Sequence, residues 1–159
     1  MIQINIILYI VLFIFSSCMI PGEDHPTIRE SLPDNFKIHY MRHSGMLPDY
    51  ENMILTRDSC VIFYVSDKSV DTVKFNLPEN KLKNLYDLFI ENEFSKIETR
   101  IEEVYDRGGV TISLSWKNGR SKKIEKSNSG RSFVTDKWIG RWNNIVSELE
   151  KLVTEYEKK

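Results

Sequence analysis

The chain has 159 residues, with 22 Lys and Arg against 23 Asp and Glu, for a formal net charge of −1. That near-neutral balance excludes general nucleic-acid binding, which needs a basic face for the phosphates. The length suits one domain with its own core.

Residues 6–15 are ten apolar residues without a charge, the pattern of the apolar region of a secretory signal. A spanning helix needs about 20 such residues, so the run is too short to cross a bilayer. Two small residues, Ser16 and Ser17, then precede Cys18. The string Phe15-Ser16-Ser17-Cys18 resembles the lipobox of bacterial lipoproteins. Phe15 stands where that family usually has Leu, and no Lys or Arg precedes the apolar run. Relaxed lipoboxes of this kind are similar to those of Bacteroidota.

The resemblance implies that residues 1–17 are a signal peptide and that Cys18 becomes the first mature residue. Its sulfur is then expected to carry a diacylglycerol and its amine a third, palmitate-type chain. Each buried methylene contributes roughly 0.8 kcal/mol, so two chains already hold a protein to its membrane. The membrane becomes a partner through the lipid, and the bacterial cell envelope becomes the location. Removing the signal from the 159 residues leaves 142 and no change in charge. Residues 18–115 are then net −6 and residues 116–159 net +5. With Cys18 lipidated, Cys60 has no partner in the chain, and its strand-like surroundings predict a buried, inert thiol.

Residues 18–34 read as the lipidated cysteine and a flexible tether, with Pro21, Pro26, Pro33 and Gly22 and little apolar periodicity. The 16 residues from Met19 to Asp34 reach at most about 50–58 Å when extended, and roughly 20 Å as a coil. The acidic pair Glu23-Asp24 is short and late for a surface-export signal. The expected location is therefore the periplasmic side of the outer membrane.

A single globular domain is expected over residues 35–159. Residues 36–43 alternate with strand period, and Gly45 and Pro48 break the pattern. Residues 50–57, 60–66 and about 70–76 read as three further strands joined by polar turns, an antiparallel meander. Pro78 suits the first position of a helix, where its missing N–H costs nothing. Leu82, Leu85, Tyr86, Phe89 and Ile90 make its apolar stripe, and it is expected to end near Asn92. Residues 94–107 fit either a second short helix or an irregular strand.

Val110, Ile112, Leu114 and Trp116 alternate with small polar residues, and residues 120–126 return after Asn118-Gly119. A two-residue loop would turn Ile124 away from the core. An odd loop over residues 117–119 would set it opposite Ile112, with Gly119 left-handed in a bulge. The odd loop is predicted. Residues 127–132 read as a polar loop. Thr135 or Asp136 is then expected to cap a last helix with the stripe Trp138, Trp142, Ile145, Leu149, Leu152, Tyr156. The resulting expectation is an α+β fold: an antiparallel sheet in the order β-β-β-β-α-β-β-α with both amphipathic helices on one face.

Few constellations carry chemistry. His39 and His43 are four apart, which on a strand separates them by about 13 Å, too far to share one ion. No nucleophile elbow, phosphate-binding glycine loop or paired-cysteine zinc spacing occurs, so no metal or cofactor is expected. Tyr105-Asp106-Arg107-Gly108-Gly109 has two readings. It is a polar cluster with Asp106 as base or Arg107 as anion clamp, or a tight turn with left-handed glycines and Asp106 capping the backbone. Arg120, Lys122, Lys123, Lys126 and Arg131 form a basic cluster, suited to an acidic protein partner, acidic glycans or lipid head groups. The bland alternative is a solvated edge strand whose lysines prevent edge-to-edge pairing. The candidate binding residues are thus Asp106, Arg107, Arg120, Lys122 and Lys126. The expected role is a non-enzymatic, lipid-anchored binding module. A hydrolase using Asp106 with Glu102 or Glu103, and an inhibitor or immunity-type lipoprotein, are the alternatives.

Overall fold

The computed structural model describes residues 31–45, 49–104 and 106–157. The expected signal, Cys18, most of the expected tether, Pro48 and Tyr105 lie outside them. Strands β1 (Asp34–His43), β2 (Tyr50–Thr56), β3 (Cys60–Val65) and β4 (Val70–Phe75) come first. Helix α1 (Glu79–Glu91) follows, then a 3-10 turn (Phe94–Lys96) and β5 (Thr99–Ile101). The long hairpin β6 (Gly109–Asn118) and β7 (Arg120–Asn128) leads to β8 (Ser132–Val134) and helix α2 (Asp136–Glu157).

Six strands form one antiparallel sheet in the order β4-β3-β2-β1-β6-β7, and β5 pairs with β8 in a small second sheet. The protein is an α+β fold. Strand alternation sends one set of side chains inward: Phe36, Ile38 and Tyr40, Met53 and Leu55, Cys60 and Ile62, Ile112 and Leu114 are all buried. Both helices lie on this face. Tyr86 of α1 meets Phe36 edge-on at 5.1 Å, and Tyr156 of α2 stacks on Phe75 at 3.9 Å. The whole stripe from Trp138 to Tyr156 is buried, as its spacing predicts. Cys60 is buried and free.

Three expectations need correction, and the alternative left open at residues 94–107 is resolved. The β6–β7 loop is odd and Gly119 is left-handed at φ +66, but the turn sits one residue later than expected. Lys117 pairs with Ser121, so Ile124 opposes Leu114 instead of Ile112. Parity still keeps Ile124 on the core face, because a shift of two restores the side. The polar stretch 127–132 is not one loop, since β7 continues to Asn128 and β8 begins at Ser132. Residues 94–107 hold both a helical turn and a strand. Thr135 stands before α2, but its hydroxyl is buried without a partner; only its carbonyl engages the helix, accepting from Trp138 N at 2.8 Å.

Gly108-Gly109 is a packing requirement. A Cβ on Gly109 would lie 2.1 Å from the Asn128 carbonyl oxygen, at φ +150. One on Gly108 would lie 2.6 Å from the His43 carbonyl oxygen. Only bare backbone lets β6 start between the ends of β1 and β7. The left-handed residue ahead of them is Asp106 itself, at φ +63.

Candidate functional site

Arg107 is committed inside the fold. Its Nη2 donates to the Ser132 carbonyl at 2.6 Å and to Asn128 Oδ1 at 3.1 Å, and its Nε to the Gly130 carbonyl at 3.4 Å. Its guanidinium stacks over the Phe133 ring at 3.8 Å. It ties β6 to the β7–β8 connection and has little left for an external anion. Lys126 is likewise engaged, donating from Nζ to the Ile97 carbonyl. Asp106 is exposed. Glu102 is paired with Arg100 and Glu103 is exposed, so these carboxylates do not converge on a shared cleft. His39 Nε2 donates to Asn52 Oδ1 at 2.6 Å, while the His43 ring lies 6.1 Å from that of Tyr50. Among the described residues, no group of three or more His, Cys, Asp or Glu is placed to hold a metal.

Lys122 has a different setting. It projects on the helix side of the sheet, directly across from Trp116, into an open cleft of about 1360 Å³. The cleft arises from the composition of β7. Its inward side chains are Lys122, Ile124 and Lys126, too polar to recruit a covering helix. The helices therefore leave β7 and the Trp116 end of β6 uncovered on this face, while Val110, Ile112 and Leu114 of β6 stay buried in the core. Phe36, Leu114, Trp116 and Ile124 come from the sheet, and Tyr86, Ile90 and Phe94 from the opposite wall. Phe94 is braced edge-on by Phe89 at 5.0 Å. Glu93, left-handed at φ +48, turns the chain from α1 into the 3-10 turn. It holds that wall to α2 through Arg141 and also pairs with Lys96 at 2.5 Å. Lys117 and Lys122 at the rim have no ion-pair partner among the described residues. Arg120 is at the hairpin tip, outside the cleft lining. Ser31 to Asn35 form the remaining wall, so the chain enters the domain beside this cleft.

Polar residues gather at the opposite end of the sheet. Arg42 pairs with Glu150 at 3.4 Å. Burial, with Glu157 and Glu150 nearby, holds the Glu51 carboxyl above its ordinary range against the pull of Arg42. Burial pushes the Tyr64 phenol up to about 12, helped by Glu157 and Glu51. A shallow cavity of about 470 Å³ adjoins this group. The sequence signal for it was Glu51 at an inward position of its strand. The signal for the cleft was an aromatic, Trp116, opposite a lysine on a return strand with a single large apolar residue.

Comparison with protein-family models and with curated proteins gives no match. The functional reading therefore rests on the chemistry of these surfaces.

Proposed function

We propose that the chain is a non-enzymatic, lipid-anchored binding module of the bacterial envelope that takes its ligand in the cleft beneath Trp116. The observation that carries this reading is the cleft itself: an aromatic and aliphatic floor with cations at its rim, Lys117 and Lys122, that have no ion-pair partner among the described residues. Clefts of that kind bind by burial and orient by charge. The lipobox-like string Phe15-Ser16-Ser17-Cys18 supports the anchor. The entry of the chain at Ser31 to Asn35 supports a cleft held on the tethered side of the domain. The dispersal of Asp106, Glu102 and Glu103 supports binding over hydrolysis.

The test is photo-crosslinking in cells that make the protein, with a benzophenone side chain in place of Trp116 and, separately, in place of the exposed turn residue Lys68. Adducts from position 116 alone are expected. Equal adducts from both positions, or none from 116, would overturn the cleft.

A second reading, an immunity-type protein, is favoured by the opposite face of the sheet. There Met41, Ile54, Val61, Phe63 and Val65 lie half-buried with Lys37 and Lys74 at the margins. The same crosslinker at Phe63 separates the two.

A further inference from the structure

Resting on that cleft, we infer that its ligand is an extended acidic segment of a partner polypeptide, added as a seventh strand along the free edge of β7. In the six-stranded sheet β7 is terminal. Its far end is closed off, since Lys126 reaches the Ile97 carbonyl and β8 lies alongside. Over Arg120 to Glu125 no described backbone group bonds to anything but β6, so a row of donors and acceptors faces outward. Such an edge takes an added strand, with main-chain bonds for affinity and alternate side chains for specificity.

The cleft continues this edge. Its volume of about 1360 Å³ exceeds the roughly 300–1,000 Å³ usual for small-molecule pockets, and it is open along one side, as a chain segment requires. An added strand would lie about 4.8 Å beyond β7. Its inward side chains would extend two existing cross-strand rows. The row Ile38, Leu114, Ile124 calls for an apolar residue next, and the row Trp116, Lys122 calls for an acid. On the other face, Lys123 calls for a second acid, and Arg120, on the Lys122 face at the tip, for a third. Lys117, Arg120 and Lys122 have no ionic partner among the described residues, while Lys123 shares Glu125 at 2.7 Å. A second copy of β7 carries the same positive excess and would be repelled, so the edge selects against self-pairing and for an acidic strand. Opposite residues 124 to 120, an antiparallel partner reads apolar, acidic, acidic, any, acidic.

The probe is the capped peptide Ser-Val-Glu-Glu-Ser-Glu-Ser. Controls are its Glu-to-Lys counterpart and vesicles of phosphatidylglycerol. Each is titrated into the full chain, with amide hydrogen exchange read residue by residue. The expected result is saturable binding of the acidic peptide with slowed exchange over residues 121–125. Binding should be weaker by roughly tenfold or more for the Glu-to-Lys peptide and for Lys122→Glu, as loss of a partly desolvated charge pair requires. Peptide binding without protection of the β7 amides would overturn strand addition. Vesicle binding with no peptide binding would overturn the polypeptide ligand. Both results leave the cleft in place, because crosslinking from position 116 tests it independently. Binding of neither probe would also overturn the inference.

Discussion

Replacing Arg107 separates its structural role from an anion-binding one. The guanidinium makes three hydrogen bonds, the shortest 2.6 Å to the Ser132 carbonyl, and stacks on Phe133. A hydrogen bond from a charged donor contributes about 1.5–3 kcal/mol, and a stacked cation about 0.5–2 kcal/mol. These do not add, since Arg107 is only half-buried and Asn128 Oδ1 keeps a second donor, the Val134 amide at 3.3 Å. The net cost of Arg107→Ala is therefore about 2–4 kcal/mol, roughly 8–16 °C in Tm for a domain of this size. Arg107→Lys restores the charge without the planar fork, and should recover no more than about 1 kcal/mol. The assay is urea unfolding followed by tryptophan fluorescence, with the midpoint falling at constant slope. A loss under about 1 kcal/mol for the alanine variant would refute the structural role and return Arg107 to the binding surface.

Gly109→Ala should cost more than about 3 kcal/mol, because a Cβ would sit 2.1 Å from the Asn128 carbonyl at an angle strained for any L side chain. Gly140→Ala, with open space around it on α2, should gain about 0.5–1 kcal/mol; the same urea titration reads both. Glu51 has its folded-state pKa raised above its ordinary 4.5, so ionising it opposes folding. The penalty is full above the folded value and fades as pH falls toward 4.5. Glu51→Gln should therefore raise Tm at pH 7 and lose that advantage near pH 4, and a Tm difference independent of pH would contradict it. Burial pushes the Cys60 thiol up, and its Sγ lies 3.6 Å from the Thr56 carbonyl. In a Cys18→Ala chain, iodoacetamide should label Cys60 only on unfolding, whereas labelling of the native chain at the rate of a free thiol would contradict burial.

Much of the fold was legible because the inward residues announce themselves. The alternation of Phe36, Ile38 and Tyr40, and the steps of four and three from Trp138 to Tyr156, admit one period each. Proline at 78 and asparagine at 92 bracket α1 closely. The illegible parts are those set by contacts distant in sequence. Arg107 could not be assigned because its partners, at 128, 130 and 132, come together only once β8 folds back. The strand Thr99–Ile101 is too short and exposed to carry a periodic signal. The hairpin turn was misplaced by one residue because parity, which burial of Ile124 decides, leaves positions two apart nearly equivalent. Lys122 belongs in sequence to the basic cluster of the last hairpin. Its neighbours Trp116 and Phe94 carry no signal of a cleft, since a sequence does not show where a helix fails to cover a sheet.

The proposed anchor at Cys18 underlies the expected location, the expected tether and the search for a partner, and it is tested by the intact mass of membrane-extracted protein, wild type beside Cys18→Ala. A mature chain that begins at Cys18 and carries acyl mass, both lost in the variant, is the predicted result. The same unmodified mass, apart from the substitution itself, in both chains would contradict the lipid anchor.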